Sequence, residues 1–125
     1  MEFLGIEHVQ LAMPEGGEPA ARNFYRDLLG LREVPKPEEL QGRGGAWFES
    51  SHIKIHLGIE KDFRPAKKAH PALLVSGIEQ LRQTLKNEAV TIEDGEQIEG
   101  YTRFFAFDPF GNRIEFLEAI TSTGK

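Results

Sequence analysis

The chain has 125 residues, of which 39% are hydrophobic, and this is enough for one domain with a sizeable core. It contains no cysteine, which excludes thiolate metal ligands, a cysteine nucleophile and disulfides. The net charge of −5 argues against nucleic-acid binding, and because no signal peptide or membrane-spanning run is visible, we expect a cytoplasmic protein without a membrane partner.

The first half of the chain predicts one strand, one helix and three further strands. Residues 6–13 alternate between apolar and polar side chains, as a half-buried strand does. Pro19 suits the first turn of the helix that follows, and Gly30 suits its left-handed end. Three more strands are predicted from residue composition, at 31–34, 45–49 and 53–58.

The second half predicts the same order of elements after a polar connection at residues 60–69. Its first strand begins at His70, and Ser76 and Glu79 have the spacing of a capping box at the start of the next helix. Asn87 is expected to end that helix. The remaining strands are predicted at 90–92, 102–107 and 113–118, and residues 108–111 have the composition of a type I turn between the last two.

The repeat places metal-binding side chains at matching points of the two halves. His8 and His70 open the first strand of each half, whereas His56 and Glu115 each follow a basic residue and an isoleucine in the last strand. The offset is 62 residues between the first two and 59 between the other two. A pseudo-two-fold relation between the halves brings all four side chains around one point, which indicates a metal centre.

These elements predict an α+β fold in which two βαβββ modules form curved mixed sheets around a shared metal-binding cavity. We expect residues 1–125 to form a single domain built of two repeats, at about 5–59 and 69–119. Three polar side chains share strand faces with the candidate ligands and are candidates to bind an oxygen-rich substrate, namely Gln10, Lys54 and Arg113. The alternative is that the two basic side chains lie at the cavity rim or in solvent.

Two stretches of the sequence resemble a known superfamily. Residues 24–31 read Phe-Tyr-Arg-Asp-Leu-Leu-Gly-Leu, and residues 108–115 read Asp-Pro-Phe-Gly-Asn-Arg-Ile-Glu. Together with His8 and His70, they resemble the vicinal oxygen chelate superfamily. This superfamily includes glyoxalase I, methylmalonyl-CoA epimerase, fosfomycin-resistance proteins, extradiol dioxygenases and bleomycin-binding proteins. The resemblance covers essentially the whole chain.

The resemblance implies a ligand set for a divalent metal ion. Metal-dependent members take ligands from the first, fifth and eighth strands, which correspond to His8, His70 and Glu115. His56 corresponds to a frequent fourth ligand, or it lies beside the centre and carries protons. Imidazoles and one carboxylate suit Ni²⁺, Mn²⁺, Fe²⁺, Co²⁺ or Zn²⁺, and the resemblance implies that Glu115 serves as the catalytic base.

The function implied by the resemblance is that of a metal-dependent small-molecule enzyme, nearest to a glyoxalase-type lyase or isomerase. The alternatives are a fosfomycin-resistance-like transferase, a small extradiol-type dioxygenase, and a metal-free antibiotic-binding protein of the bleomycin-resistance type. Ala12 and Glu60 stand where bacterial glyoxalase I proteins use an arginine and an asparagine to hold glutathione, so glutathione is not expected as a partner. Because proteins of this family commonly pair, we also expect a homodimer.

Overall fold

The computed structural model describes residues 1–120, and the chain divides into two compact units, Met1–Pro65 and Ala66–Lys125. The division falls inside the connection that the sequence predicts at residues 60–69. Each repeat therefore lies within one unit. Among residues 1–120, no helix is long and apolar enough to cross a membrane.

Unit 1 consists of a four-stranded sheet and a helical segment. Its strands are β1 (Val9–Met13), β2 (Arg32–Val34), β3 (Ala46–Glu49) and β4 (Lys54–Ile59). They lie in the order β1-β4-β3-β2, in which β1 and β4 are parallel and the other pairs are antiparallel. A 3₁₀ helix that the sequence did not predict lies between β2 and β3, at Glu38–Arg43. Since β1 begins at Val9 rather than at residue 6, His8 precedes the strand.

The helical segment of unit 1 packs its aromatic side chains onto the sheet. Helix α1 (Glu18–Ala21) has Pro19 in its first turn and continues through a wider π-helical stretch, Arg22–Leu28. Gly30 follows with φ of 81°, the left-handed conformation expected at a helix end. The ring of Tyr25 stacks on that of Phe48, with centroids 5.6 Å apart, and both side chains are fully buried. The helix thereby covers one face of the sheet.

Unit 2 repeats this arrangement. Its strands are β5 (Ala72–Leu74), β6 (Ile92–Glu93), β7 (Tyr101–Phe107) and β8 (Arg113–Ala119), in the order β5-β8-β7-β6. β5 and β8 are parallel, whereas the other pairs are antiparallel. Helix α2 (Ile78–Asn87) ends at the predicted residue, and Phe104 and Phe116 are buried on its side of the sheet.

The predicted capping box at the start of α2 is wrong. Gly77, in a left-handed conformation, is the cap residue, and no side chain of the predicted pair caps the helix. Instead, the carboxylate of Glu118 on β8 accepts hydrogen bonds from the backbone N–H groups of Gly77 and Ile78, at 3.2 and 2.9 Å. A residue 40 positions away thus does what Ser76 was expected to do.

Matching strand order and register confirm the α+β fold of two βαβββ modules. In unit 1, His56 on β4 lies beside Trp47 on β3. In unit 2, Glu115 on β8 lies beside Phe105 on β7 in the equivalent position. His56 and Glu115 therefore occupy equivalent positions in the last strand of each module. The grouping of both modules into a single domain with a shared cavity stays a prediction.

Candidate functional site

In unit 2 the structure brings His70 and Glu115 into contact. The Nε2 atom of His70 lies 3.0 Å from Oε1 of Glu115, and the carboxylate is largely buried. The other ring nitrogen, Nδ1, lies 2.8 Å from the backbone carbonyl of Lys68. A carbonyl oxygen can only accept, so Nδ1 carries the hydrogen. In the neutral ring, Nε2 therefore turns its lone pair towards the carboxylate.

Two acceptors at such a separation need a proton or a cation between them. A neutral imidazole nitrogen and an ionised carboxylate oxygen repel each other unless a hydrogen is shared. Two ligands that each lie about 2.1 Å from an ion, at right angles, are about 3.0 Å apart. The backbone carbonyl on Nδ1 is also the partner that orients histidines in metal sites. The donor set of His70 and Glu115 therefore fits a divalent metal ion.

Arg103 holds the second oxygen of Glu115. Its Nη1 donates to Oε2 at 3.0 Å, and its Nε donates to the backbone carbonyl of Glu96 at 2.9 Å. Both side chains of this ion pair are nearly buried, with exposed fractions of 13% for Arg103 and 10% for Glu115. The guanidinium thereby fixes the carboxylate so that Oε1 faces His70.

Phe105 gathers the charged groups of this site around one ring. We call the side of the unit 2 sheet turned away from α2 its site face. On this face the edge of Phe105 meets the ring of His70, with centroids 5.3 Å apart. The guanidinium carbons of Arg103 and Arg113 lie 4.9 and 3.9 Å from the centroid of Phe105. Such cation–π contacts hold both arginines beside the imidazole–carboxylate pair.

In unit 1 the structure brings His8, His56 and Trp47 into one stack. The rings of Trp47 and His56 are almost parallel, at 3°, with centroids 3.8 Å apart. On the other side of His56 lies His8, with centroids 4.1 Å apart. Burial in this stack, followed by the neighbouring His8, lowers the pKa of His56 below its usual value. His56 is therefore held as a neutral imidazole, the form that binds metals or accepts protons.

Glu7 joins His8 to Lys54. Its Oε1 lies 2.7 Å from Nδ1 of His8, and its Oε2 accepts a hydrogen bond from Nζ of Lys54 at 2.6 Å. The hydrogen bond from Lys54, followed by that from His8, lowers the pKa of Glu7 to about 2. Lys54, which the sequence predicts to bind substrate, is thus engaged by a carboxylate of its own unit.

Gln10 lies at a shallow cavity in unit 1. The cavity has a volume of about 330 Å³, and Ala12, Gly58 and Glu60 are among the residues that line it. The amide of Gln10 covers Gly58, where an added Cβ would approach its Nε2 to 2.5 Å. The exclusion of glutathione as a partner stays a prediction.

The four predicted ligands thus form two pairs, His8 with His56 in unit 1 and His70 with Glu115 in unit 2. In the part of the chain that the structure describes, no group of three or more His, Asp or Glu side chains is arranged to hold a metal. The four-residue centre therefore stays a prediction, as do the substrate-binding roles of Gln10, Lys54 and Arg113.

Sequence reasoning did not place Arg103, Phe105, Trp47 or Glu7 among the metal ligands or the substrate-binding residues. The repeat itself contains a signal for two of them, because Trp47 and Phe105 occupy equivalent positions beside His56 and Glu115. Arg103 lies two residues before Phe105 on the same strand face, as strand periodicity dictates. Glu7 lies outside any strand, so the alternation of side chains between the two faces of a strand could not predict its contact with Lys54.

Comparison with known proteins decides the family. The model of the Glyoxalase/Bleomycin resistance protein/Dioxygenase superfamily matches residues 5–116. The chain belongs to this superfamily. The match confirms the resemblance on which the vicinal oxygen chelate assignment was based. Among curated proteins, none matches the chain.

Solved structures of superfamily members share the fold of this chain. A glyoxalase family protein from Bacillus anthracis is 46% identical, with a TM-score of 0.91 over 96% of this chain and 98% of that one. A glyoxalase/dioxygenase from Nostoc punctiforme is 20% identical, with a TM-score of 0.76 over 94% and 92% of the two chains. The genomically encoded fosfomycin resistance protein of Listeria monocytogenes is 11% identical, with a TM-score of 0.72 over 97% and 95%. The last two likenesses concern the fold alone.

Proposed function

We propose that this chain is a divalent-metal-dependent enzyme acting on a small oxygen-chelating molecule, nearest to a glyoxalase-type lyase or isomerase. The contact between His70 and Glu115 is the single observation that carries the proposal. The lone pair on Nε2 of His70 and the Oε1 atom of Glu115 lie 3.0 Å apart, which fits one divalent ion. His8 and His56 form the second pair of candidate ligands, in unit 1.

The residues of unit 2 have separate tasks in such a reaction. His70 and Glu115 would hold the ion, which supplies a Lewis acid for the oxygens of the substrate. Glu115 would also be the base that moves a proton, because its carboxylate is the acidic side chain next to the position of the ion. Arg103 keeps Oε1 of Glu115 directed at His70 while it neutralises the charge on Oε2.

Calorimetric titration of the untagged protein with Ni²⁺, Mn²⁺ and Zn²⁺ tests the proposal. We expect His70→Ala and Glu115→Gln each to lower the affinity for the metal that binds most tightly by at least about tenfold, because each removes a direct ligand. His52→Ala and Glu99→Gln are the matched controls, since both residues are exposed and lie outside the two pairs. If both site variants keep the affinity of the unmodified protein, the metal assignment is wrong.

X-ray absorption of the Ni²⁺ or Co²⁺ form distinguishes the two candidate pairs. Three imidazoles on one ion would support ligation by His8, His56 and His70 together. One imidazole that disappears in His70→Ala would place the ion on the unit 2 pair alone. An absence of metal uptake by the unmodified protein would favour the metal-free binding protein instead.

A further inference from the structure

We infer that the site face of unit 2 takes a small carboxylate, with Arg113 as its anion-binding group. This deepens the proposed function and rests on it for the chelating oxygens, because it names the substrate class of the same site. The class is a 2-oxo or 2-hydroxy acid, in which a carboxylate and a second oxygen lie on neighbouring carbons.

The charges around Phe105 leave Arg113 without a firm counter-ion. Arg103 and Glu115 form a nearly buried ion pair at hydrogen-bond distance. Within residues 1–120, the ion pair of Arg113 is with Glu93, with 3.7 Å between Nη2 and Oε1, and the side chain of Glu93 is 55% exposed. An ion pair so long and so accessible to water contributes little. One permanent positive charge beside the imidazole–carboxylate pair is therefore almost uncompensated.

The hydrogen bonds of Arg113 are also incomplete. Its Nη1 donates to the backbone carbonyl of Lys67 at 3.3 Å, near the limit of a hydrogen bond. Its Nε is buried and has no acceptor among the described residues. Guanidinium groups recognise carboxylates through two parallel N–H donors. To turn towards such a ligand, Arg113 gives up one weak hydrogen bond, the long ion pair with Glu93 and part of its contact with Phe105.

The size of the ligand follows from the common contact with Phe105. Arg113 lies over the ring and His70 meets its edge, at 3.9 and 5.3 Å from the centroid. Arg113 and Glu115 are two residues apart on one strand face, which puts their Cα atoms about 6–7 Å apart. A molecule that reaches both Arg113 and the His70–Glu115 pair therefore needs only a few bonds. A 2-oxo or 2-hydroxy acid is a molecule of this length, because its carboxylate can pair with Arg113 while its second oxygen faces the His70–Glu115 pair.

The test titrates metal-free, ¹⁵N-labelled protein with oxalate at constant pH and ionic strength, and follows the Nε–Hε resonance of Arg113 by NMR. We expect a saturable shift of this resonance with oxalate. Oxamide, an uncharged molecule of the same shape, should produce no shift. Arg113→Gln should weaken oxalate binding at least fivefold, and Arg113→Lys should restore part of it. Arg64→Gln removes the same charge from an exposed position and should bind oxalate like the unmodified protein.

Three outcomes would overturn the inference: no saturable shift with oxalate, equal shifts with oxamide, or unchanged oxalate affinity in Arg113→Gln. The comparison of the two ligands on unmodified protein keeps the test decisive if Arg113→Gln does not fold. Because the titration uses metal-free protein, oxalate binding without metal uptake would refute the proposed function and leave the anion site standing. Addition of Ni²⁺ then shows whether the metal raises the affinity for oxalate, as chelation at the same site requires.

Discussion

Phe105 shows how one apolar side chain positions a polar site. Two positively charged side chains, Arg103 and Arg113, lie near its ring, and His70 meets its edge. The backbone of Gly95 closes on the same ring: a Cβ at this position would lie 2.6 Å from Cε2 of Phe105 and 2.9 Å from Nη2 of Arg103. The absence of a side chain at residue 95 is thus part of the geometry of the site.

Gly95→Ala is therefore expected to destabilise the protein. The added methyl group pushes Phe105 and Arg103 aside, and overpacking of this kind costs about 1–3 kcal/mol. Urea denaturation measures the loss, and the metal affinity should fall as Arg103 loses its position on Glu115. Gly42→Ala is the control, because nothing lies within 4 Å of a Cβ there. Equal stability of the two variants would show that residue 95 can move away without loss.

At the residue scale, the sequence predicted one centre of four ligands and missed the residues that surround them. His70 and Glu115 were candidates because they match His8 and His56 in the repeat and stand at ligand positions of the family that the chain resembles. Arg103 was missed because a single arginine on a strand has no recognisable pattern, and its partner is fixed only by the β7–β8 register. Whether the two pairs share one ion depends on distances that no repeat encodes.

Helix α2 begins with a contact from a distant strand. Its first backbone N–H groups point to the carboxylate of Glu118, and the left-handed Gly77 turns the chain into the helix. A carboxylate at a helix N-terminus satisfies unpaired donors and complements the helix dipole. The same contact ties α2 to β8, the strand that carries Glu115.

Two substitutions distinguish this cap from the capping box expected from sequence. Glu118→Ala should lower the free energy of unfolding by about 0.5–2 kcal/mol, since two N–H groups lose their acceptor. Ser76→Ala should change it by less than about 0.5 kcal/mol, because Ser76 is exposed and does not cap the helix. Chemical denaturation of both variants decides between the two, and a larger loss in Ser76→Ala would restore the capping box.

The strands and both main helices were predictable, and the short irregular elements were not. Alternation and turn residues located every strand to within a few positions, because side-chain period is a local property. The 3₁₀ helix at Glu38–Arg43 and the π-helical stretch at Arg22–Leu28 have no such period. The cap by Glu118 could not be inferred, because it joins residues that are 40 apart.

At the scale of the whole molecule, we propose a homodimer. The N-terminal segment, residues 1–8, is exposed throughout and carries large apolar side chains with exposed fractions above 80%, at Met1, Phe3, Leu4 and Ile6. Neighbouring apolar side chains that are this exposed are typical of a surface that another protein covers.

Light scattering at micromolar concentration should give twice the 14.1 kDa mass of one chain. Leu4→Ser should shift the equilibrium towards the monomer because it removes apolar area from the segment. Ile98→Ser, at a less exposed apolar position, is the control. A monomer mass for the unmodified protein would refute the homodimer. A dimer that is unchanged in Leu4→Ser would exclude the N-terminal segment from the interface.

The stack of Trp47 on His56 has an optical consequence. Trp47 is the single tryptophan of the chain, so all indole emission comes from a ring that lies flat against this imidazole at 3.8 Å. Any event that changes the charge of His56, whether a proton or a metal ion, acts on that emission at contact distance. Unit 1 thus has a built-in fluorescent reporter, and ordinary steady-state fluorescence can follow His56 without a label.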